Sequence, residues 1–498
     1  FFRLSAAEGQ KDFNLYELVP STTSAVFVTD DVLEFVAEVD ELTCSKNQQY
    51  LYVSKLFSYL KQSLYALSED TPHGLSRQMN QMLISFHEPD NERNQVLYCR
   101  LGNGDKELVN RFVRKYISSL YPPKTFIYKG EEIIIYPMAD GDFLACYLTS
   151  DFMALSFQKK LIENVIDAYK SGKSLADDST FTGIRAPKKS AAAATIYTRM
   201  QGMMGWTEFD MKMKDDFIYF SGITHDADTC FAFINQLRQQ QSVKGFPGEV
   251  LPSTAFYFSR QGITDWVSLL SYGNAQGQSV PARTSEVQNR DKEFSRYLME
   301  NAGQDLVACL FQREDTLQDA AAVLSLSVAD VTEAERMLRA LVNAAPADEG
   351  RRNPRITFCY TVNKAYPIYR LPQTTLFEQL TSFAEPTLDV YAAFYGGRLL
   401  LAPDADALAH YIRQLDKGEV LNGAMAYQTG MDHLSDSYHF MLMADFDHIF
   451  QQSENHVRFV PDFFLRNADF FRHFTFFVQF ACADGVVYPN IVLKYKSE

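Results

Sequence analysis

The sequence predicts an α+β fold: a tandem duplication of two mainly antiparallel sheet units, each with helices packed on one face. Three observations carry this. Segments of the first half are echoed in the second in the same order, strand-like runs come in pairs, and helical runs with apolar residues at i, i+3 and i+4 fall between them. The longest echo lays residues 82–120 on residues 307–345 without a gap. Phe86/Phe311, Asp90/Asp315, Leu101/Leu326, Asp105/Asp330, Arg111/Arg336 and Arg114/Arg339 all fall at the offset 311 − 86 = 225. Val19-Pro-Ser-Thr22 answers Leu251-Pro-Ser-Thr254, and Thr125-Phe-Ile-Tyr128 answers Thr357-Phe-Cys-Tyr360. Gly172-Lys-Ser-Leu175 answers Gly418-Glu-Val-Leu421, and Asp215-Asp-Phe-Ile-Tyr219 answers Asp484-Gly-Val-Val-Tyr488. A chain of 498 residues is long for one core, and the echoes divide it into a tether over 1–17, a first repeat over 18–244 and a second over 245–498.

Each half reads as the same succession. A short apolar strand, 25–28 or 255–258, precedes a helix whose apolar residues are Val32, Leu33, Phe35, Val36 and Val39, or Ile263, Trp266, Val267, Leu269 and Leu270. Two strands joined by a polar turn follow, 81–87 with 95–101 and 306–312 with 321–327. Asp105 and Asp330 then stand where a short carboxylate caps the free N–H groups of a new helix. A further strand pair leads to an amphipathic helix, 150–170 or 404–416, ended by Gly172 or Gly418 in the C-cap role. Each half closes on alternating strands, Phe209, Met211 and Met213 against Asp210, Lys212 and Lys214, with the copy over 475–495. One polar face implies a sheet covered by helices on the other. The connector between halves falls in Gln239-Gln-Gln-Ser-Val-Lys-Gly-Phe-Pro-Gly248. Residues 273–291 and 344–353 read as long polar loops, and 374–383 as a helical insertion peculiar to the second half.

Composition removes some function classes. The net charge of −15 opposes a phosphate-backbone binder, which needs Lys and Arg gathered on one face, so nucleic acid is not an expected partner. Cys44, Cys99, Cys146, Cys230, Cys309, Cys359 and Cys482 are widely spaced with no CxxC, and read as small core residues. No run of 18 apolar residues spans a membrane. The chain opens on Phe1-Phe2-Arg3, which suits the tail of a removed signal or membrane anchor followed by a tether.

Motifs with possible chemistry are each answered by a plainer reading. Ser171-Gly-Lys-Ser174 lacks the upstream glycine of a phosphate loop, and Lys173 is answered by Glu419, so Gly172 reads as a helix end. The two glycines of Gly102-Asn-Gly-Asp105 have no counterpart before Asp330, which weakens an anion-binding reading. Glu131-Glu132, Asp177-Asp178 and Asp215-Asp216 are adjacent in sequence, whereas a glycosidase couple must face across a cleft. Histidines gather near the C-terminus with aspartates, and His433, Asp445, Asp447 and His448 form the candidate metal set, although no HExxH or HxH pair is present. The chain is rich in Phe (39) against only 2 Trp. Phe463, Phe464, Phe470 and Phe471 come as adjacent pairs that neither helix nor strand places wholly on one face, which makes them the candidate ligand or partner surface.

The Pro-Ser-Thr entry strand, Tyr395-Gly-Gly-Arg398 with its strand, the helix from Asp404, Gly418-x-x-Leu421 and Asp484-Gly-Val-Val-Tyr488 together resemble the duplicated α+β proteins of Bacteroidetes cell envelopes. The resemblance implies a signal or membrane anchor ahead of the folded part and an envelope location, periplasmic or surface-exposed. It brings no catalytic residues and no cofactor. The duplication, the lack of a catalytic motif and the Phe-rich segment make the expected function non-enzymatic binding of a protein or of an apolar or glycan ligand. The alternative is a metal-dependent hydrolase using residues 432–456.

Overall fold

The computed structural model describes residues 13–46, 79–89, 91, 93–102, 105–117, 121–138, 141–185, 192–199, 205–224, 232–270, 284–313, 320–344, 354–372, 374–381, 389–452, 460 and 462–496. Asp90, Asp315, Cys230, His456, most of the tether and the 345–353 loop lie outside them. The chain divides into two compact units between Thr229 and Cys230. The break lies upstream of the expected boundary at Lys244 because the glutamine stretch is built into the second unit. Gln240 Oε1 accepts from the N–H of Thr264 at 2.8 Å, Gln241 Nε2 donates to Ile263 O at 3.0 Å, and Val243 is ladder-paired with Tyr438.

Unit 1 contains ten strands, β1 (Ala25–Thr29), β2 (Met82–Phe86), β3 (Gln95–Arg100), β4 (Lys124–Tyr128), β5 (Glu131–Pro137), β6 (Phe143–Leu148), β7 (Phe152–Ser156), β8 (Ala194–Thr198), β9 (Thr207–Lys214) and β10 (Phe217–Thr224). All pair antiparallel in the order β4-β5-β6-β7-β3-β2-β1-β8-β9-β10. The helices used below are α1 (Val32–Glu41), α2 (Asp105–Phe112), α3 (Lys159–Ser171) and α4 (Ser179–Ile184).

Helices cover both faces of this sheet, which corrects the one-face expectation. Leu83, Val96, Tyr98, Ala145, Tyr147, Phe152 and Ala154 pack with Ile162, Val165 and Ile166 of α3. Their strand neighbours Met82, Ile84, Leu97, Cys99, Leu144, Cys146, Met153 and Leu155 pack with Val32 and Val36 of α1 and Val109 of α2. Successive strand residues point to opposite faces, so apolar side chains at every position demand two covers. The expectation came from the alternating closing strands, which do not represent the centre of the sheet.

Three local expectations also change. Residues 150–170 are not one helix: Thr149 Oγ1 accepts from the N–H groups of Asp151 and Phe152 in a tight turn, β7 follows, and α3 begins only at Lys159. Gly172 does end α3, left-handed at φ 63°. Asp105 starts α2 but its carboxylate reaches back to the N–H of Gly102 at 2.6 Å. Residues 13–17, expected in the tether, include a single 3-10 turn whose Leu15 and Tyr16 belong to the core.

Unit 2 contains β11 (Ala255–Gly262), β12 (Ala302–Gln312), β13 (Ala320–Val328), β14 (Ile356–Tyr360), β15 (Ala365–Pro372), β16 (Asp389–Tyr395), β17 (Arg398–Ala402), β18 (Phe440–Asp445), β19 (Phe474–Ala483) and β20 (Val486–Tyr495). Their antiparallel order is β14-β15-β16-β17-β13-β12-β11-β18-β19-β20. The gapless offset of 225 does not hold across a strand pair: Met82 faces Cys99 whereas Val307 faces Ser325, an offset of 325 − 99 = 226 on the second strand.

Its helices include α5 (Ser285–Asn301), α6 (Val331–Ala344), α7 (Leu376–Leu380) and α8 (Ala405–Asp416). The expected loop over 273–291 therefore runs into α5, capped by Thr284, whose hydroxyl accepts from the N–H of Val287. Asp330 caps α6 as expected, accepting from the N–H of Glu333 at 3.1 Å, and the insertion forms α7. Both faces are again covered. On β15 the Tyr369 hydroxyl bonds Glu335 and Arg339 of α6, while that of Tyr366, an odd number of residues away, donates to Asp416 of α8. Asp305 sits buried between Arg260 Nε at 2.9 Å and Arg398 at 3.2 Å.

Candidate functional site

The site follows from strand direction. In an antiparallel sheet the end of one strand lies beside the start of the next, so one edge of unit 1 gathers the ends of β1 and β3 and the starts of β2 and β8. These supply Val28 and Asp30, Arg100, Gln81 with Leu83, and Ala194, Thr195 and Tyr197. The 3-10 turn at Leu15–Glu17, capped by Asn14, and Arg185 just after α4 close the sides. Together they enclose a cleft of 510 Å³, within the range of roughly 300–1,000 Å³ common for small-molecule sites.

Tyr16 and Tyr197 of the lining belong to an aromatic cluster. Phe181 of α4 packs against Tyr16, Tyr197 and Trp206 with ring centroids 5.2, 5.2 and 5.0 Å away. The guanidinium of Arg185 stacks 3.9 Å over the Tyr16 ring, a cation–π contact. Burial pushes the Tyr16 hydroxyl up to about 12; Asp30 and Glu208 add to this, and Arg185 and Arg100 oppose it. Tyr197 is raised too, by burial first and then by Tyr16. Gln81 Nε2 donates to Asp30 Oδ1 at 2.6 Å, and Thr195 Oγ1 donates to Asp210 at 3.2 Å. Two buried polar atoms of the lining, Gln81 Oε1 and Arg100 Nε, have no hydrogen-bond partner. Buried groups of this kind are usually satisfied by ordered water, an ion or a ligand. A search of family models, curated proteins and solved structures finds no match to this chain.

The residues singled out from sequence lie elsewhere, in unit 2. Phe464 and Phe470 are half-buried and Phe471 is buried; the side chain of Phe463 is outside the described residues. Phe464 and Phe471 pack at 4.8 Å, Phe470 against Phe474 at 4.9 Å, and Phe446 against Phe464 at 5.1 Å. The adjacent pair Phe470-Phe471 is accommodated because each ring turns to a different neighbour. Asp445 caps the helix Phe446–Phe450 and holds Lys496 Nζ at 2.7 Å, and His448 Nδ1 lies 3.4 Å away. Burial works to raise the Asp445 carboxyl, but His448 and Lys496 outweigh it and hold it below its ordinary value; His448 is raised chiefly by the neighbouring Asp445 carboxylate. His433 follows a different helix, Met425–Met431, and among the described residues no three His, Cys, Asp or Glu come together as a metal set.

One further polar cluster carries a nucleophile-like contact. Ser85 Oγ lies 2.7 Å from His87 Nε2 and 3.0 Å from the Tyr98 hydroxyl. All three are buried, Ser85 fully, and the contacts satisfy their polar groups within the core.

The cleft has little signature in the sequence. One signal was present: Val96, Tyr98 and Arg100 share a face of β3, so the apolar alternation ends on a charge at an inward position. Nothing local marks Tyr16, Gln81 or Arg185, which converge only when the strands are ordered.

Proposed function

We propose that this protein is a non-enzymatic binding protein of the cell envelope that holds a small polar ligand in the unit 1 cleft. The observation that carries the reading is one cleft lined by Arg100, Arg185, Gln81 and Tyr16, in which Arg100 Nε and Gln81 Oε1 are buried without a partner among the described residues. A ligand that supplies their partners relieves a desolvation cost of about 1–3 kcal/mol each. Tyr16 and Tyr197 border the cleft beside Arg185, whose guanidinium covers one face of the Tyr16 ring. Thermal unfolding across a panel of monosaccharides, sugar acids and amino acids tests it. At a ligand concentration of 100 Kd, stabilisation is about 2.7 kcal/mol, and Gln81→Leu abolishes it. A panel without effect, or a shift indifferent to Gln81→Leu, sinks the reading.

The same proposal includes descent of the two units from one duplicated sequence and an anchored envelope location. The strand order supports the first: adding ten to each label of unit 1 yields the order of unit 2. The second rests on the resemblance of residues 395–421 and 484–488 to the envelope family. Fractionation of the native host would place the full-length protein outside the cytoplasm; recovery in the cytosol would remove that part.

A further inference from the structure

Resting on the reading of the cleft as a ligand site, we propose that its ligand is a small hydroxylated carboxylate of the sugar-acid class. Arg100 and Arg185 hold the carboxylate, and Gln81 and Tyr16 meet the hydroxyls. The lining itself carries two arginines and one aspartate, with Asp210 behind Thr195 and Glu208 near Tyr16, in a chain whose net charge is −15. Asp30 is already engaged by Gln81 Nε2, and among the described residues neither arginine forms an ion pair with a carboxylate. A guanidinium left without a counter-ion beside a cleft recruits an anion, and its planar fork matches a carboxylate edge. Arg100 Nε is one such donor, buried with no acceptor. Arg185 stacks on Tyr16 through its face, which leaves its in-plane donors available.

The hydroxyl requirement comes from Gln81. Its amide orientation is set by Asp30, because a carbonyl facing that carboxylate would be repelled. Oε1 is therefore the free end, and as a buried acceptor it needs a donor that a bare carboxylate or phosphate does not bring. The Tyr16 hydroxyl, protonated at neutral pH as any tyrosine is, lines the same cleft and is a second donor for a ligand oxygen.

Titration calorimetry of the full chain with glucuronate, glucose, glucose 6-phosphate and acetate tests the assignment. Glucuronate should bind at least about tenfold more tightly than glucose or acetate, as expected for charge-assisted hydrogen bonds. Arg185→Gln and Arg100→Lys should each weaken glucuronate by about tenfold, with ligand-free melting temperatures showing that both variants fold. Arg185 is exposed, so its variant keeps the test alive if the Arg100 variant does not fold. Tighter binding of glucose 6-phosphate than of glucuronate overturns the carboxylate in favour of a phosphate. Equal binding of glucose and glucuronate, insensitive to the arginine variants but lost in Gln81→Leu, overturns the anion while leaving the cleft a ligand site. Silence of all four probes overturns both.

Discussion

His87 is buried beside Ser85, and burial depresses its imidazole from 6.5 to about 4. The folded state thus resists a proton that the unfolded chain accepts. Its contribution to stability is intact above pH 6.5 and is lost as pH falls from there to about 4, in total about 3 kcal/mol. Unfolding free energies measured between pH 7 and 4.5 should fall less steeply in His87→Gln, whose amide can still bond Ser85; parallel curves for the two proteins would show that His87 is not the group that titrates. Asp305 is the opposite case, a buried carboxylate held below its ordinary value because Arg398 and Arg260 outweigh its burial. Asp305→Ala leaves two guanidiniums buried without their counter-charge and should cost about 3–5 kcal/mol in denaturant unfolding. A cost under about 1 kcal/mol, the range of an exposed ion pair, would mean that water reaches the cluster.

The helices after β18 act as an aromatic plug on the sheet. Phe471 ends a one-turn helix, Ala468–Phe471, that is too short to be stable alone, and its ring lies against Phe446, Phe464 and Phe470. Packing therefore holds this segment, and Phe471→Ala should cost about 3–5 kcal/mol by leaving a cavity among rings that cannot collapse. A chemical-denaturation difference below about 1 kcal/mol would instead fit a ring that stands free for a partner. The adjacent phenylalanines were visible as unusual in sequence, but whether such a cluster faces inward or outward depends on what lies across from it. That partner, Phe446, is 25 residues away (471 − 446).

Every residue of the cleft lies between Asn14 and Tyr197, within unit 1, which has its own cores on both sheet faces. A chain ending at Thr229 should therefore fold cooperatively and bind the same ligand as the full protein, within about threefold in Kd, since association depends on the local lining. Loss of all binding in a folded 1–229 chain would place part of the site in unit 2. Nucleic acid should remain unbound at physiological salt, because two cleft arginines within a net charge of −15 supply no counterion-release surface.

Hydropathy period, turn residues and capping aspartates act over a few neighbours, and for that reason the sequence by itself determined the α+β class, most strands, the cap at Asp330 and the helix end at Gly172. The two-sided covering of the sheet was legible in the unbroken apolar runs of β6 and β7 but was masked by the alternating closing strands. The tertiary structure alone decided the site. Asp30, Gln81, Arg100, Arg185 and Tyr197 come from five separate segments, and their convergence depends on strand order, which is set by long-range pairing that no local pattern encodes. It also decided that Asp445 is spent on a helix cap and Lys496, since a carboxylate's chemistry depends on which donors reach it first.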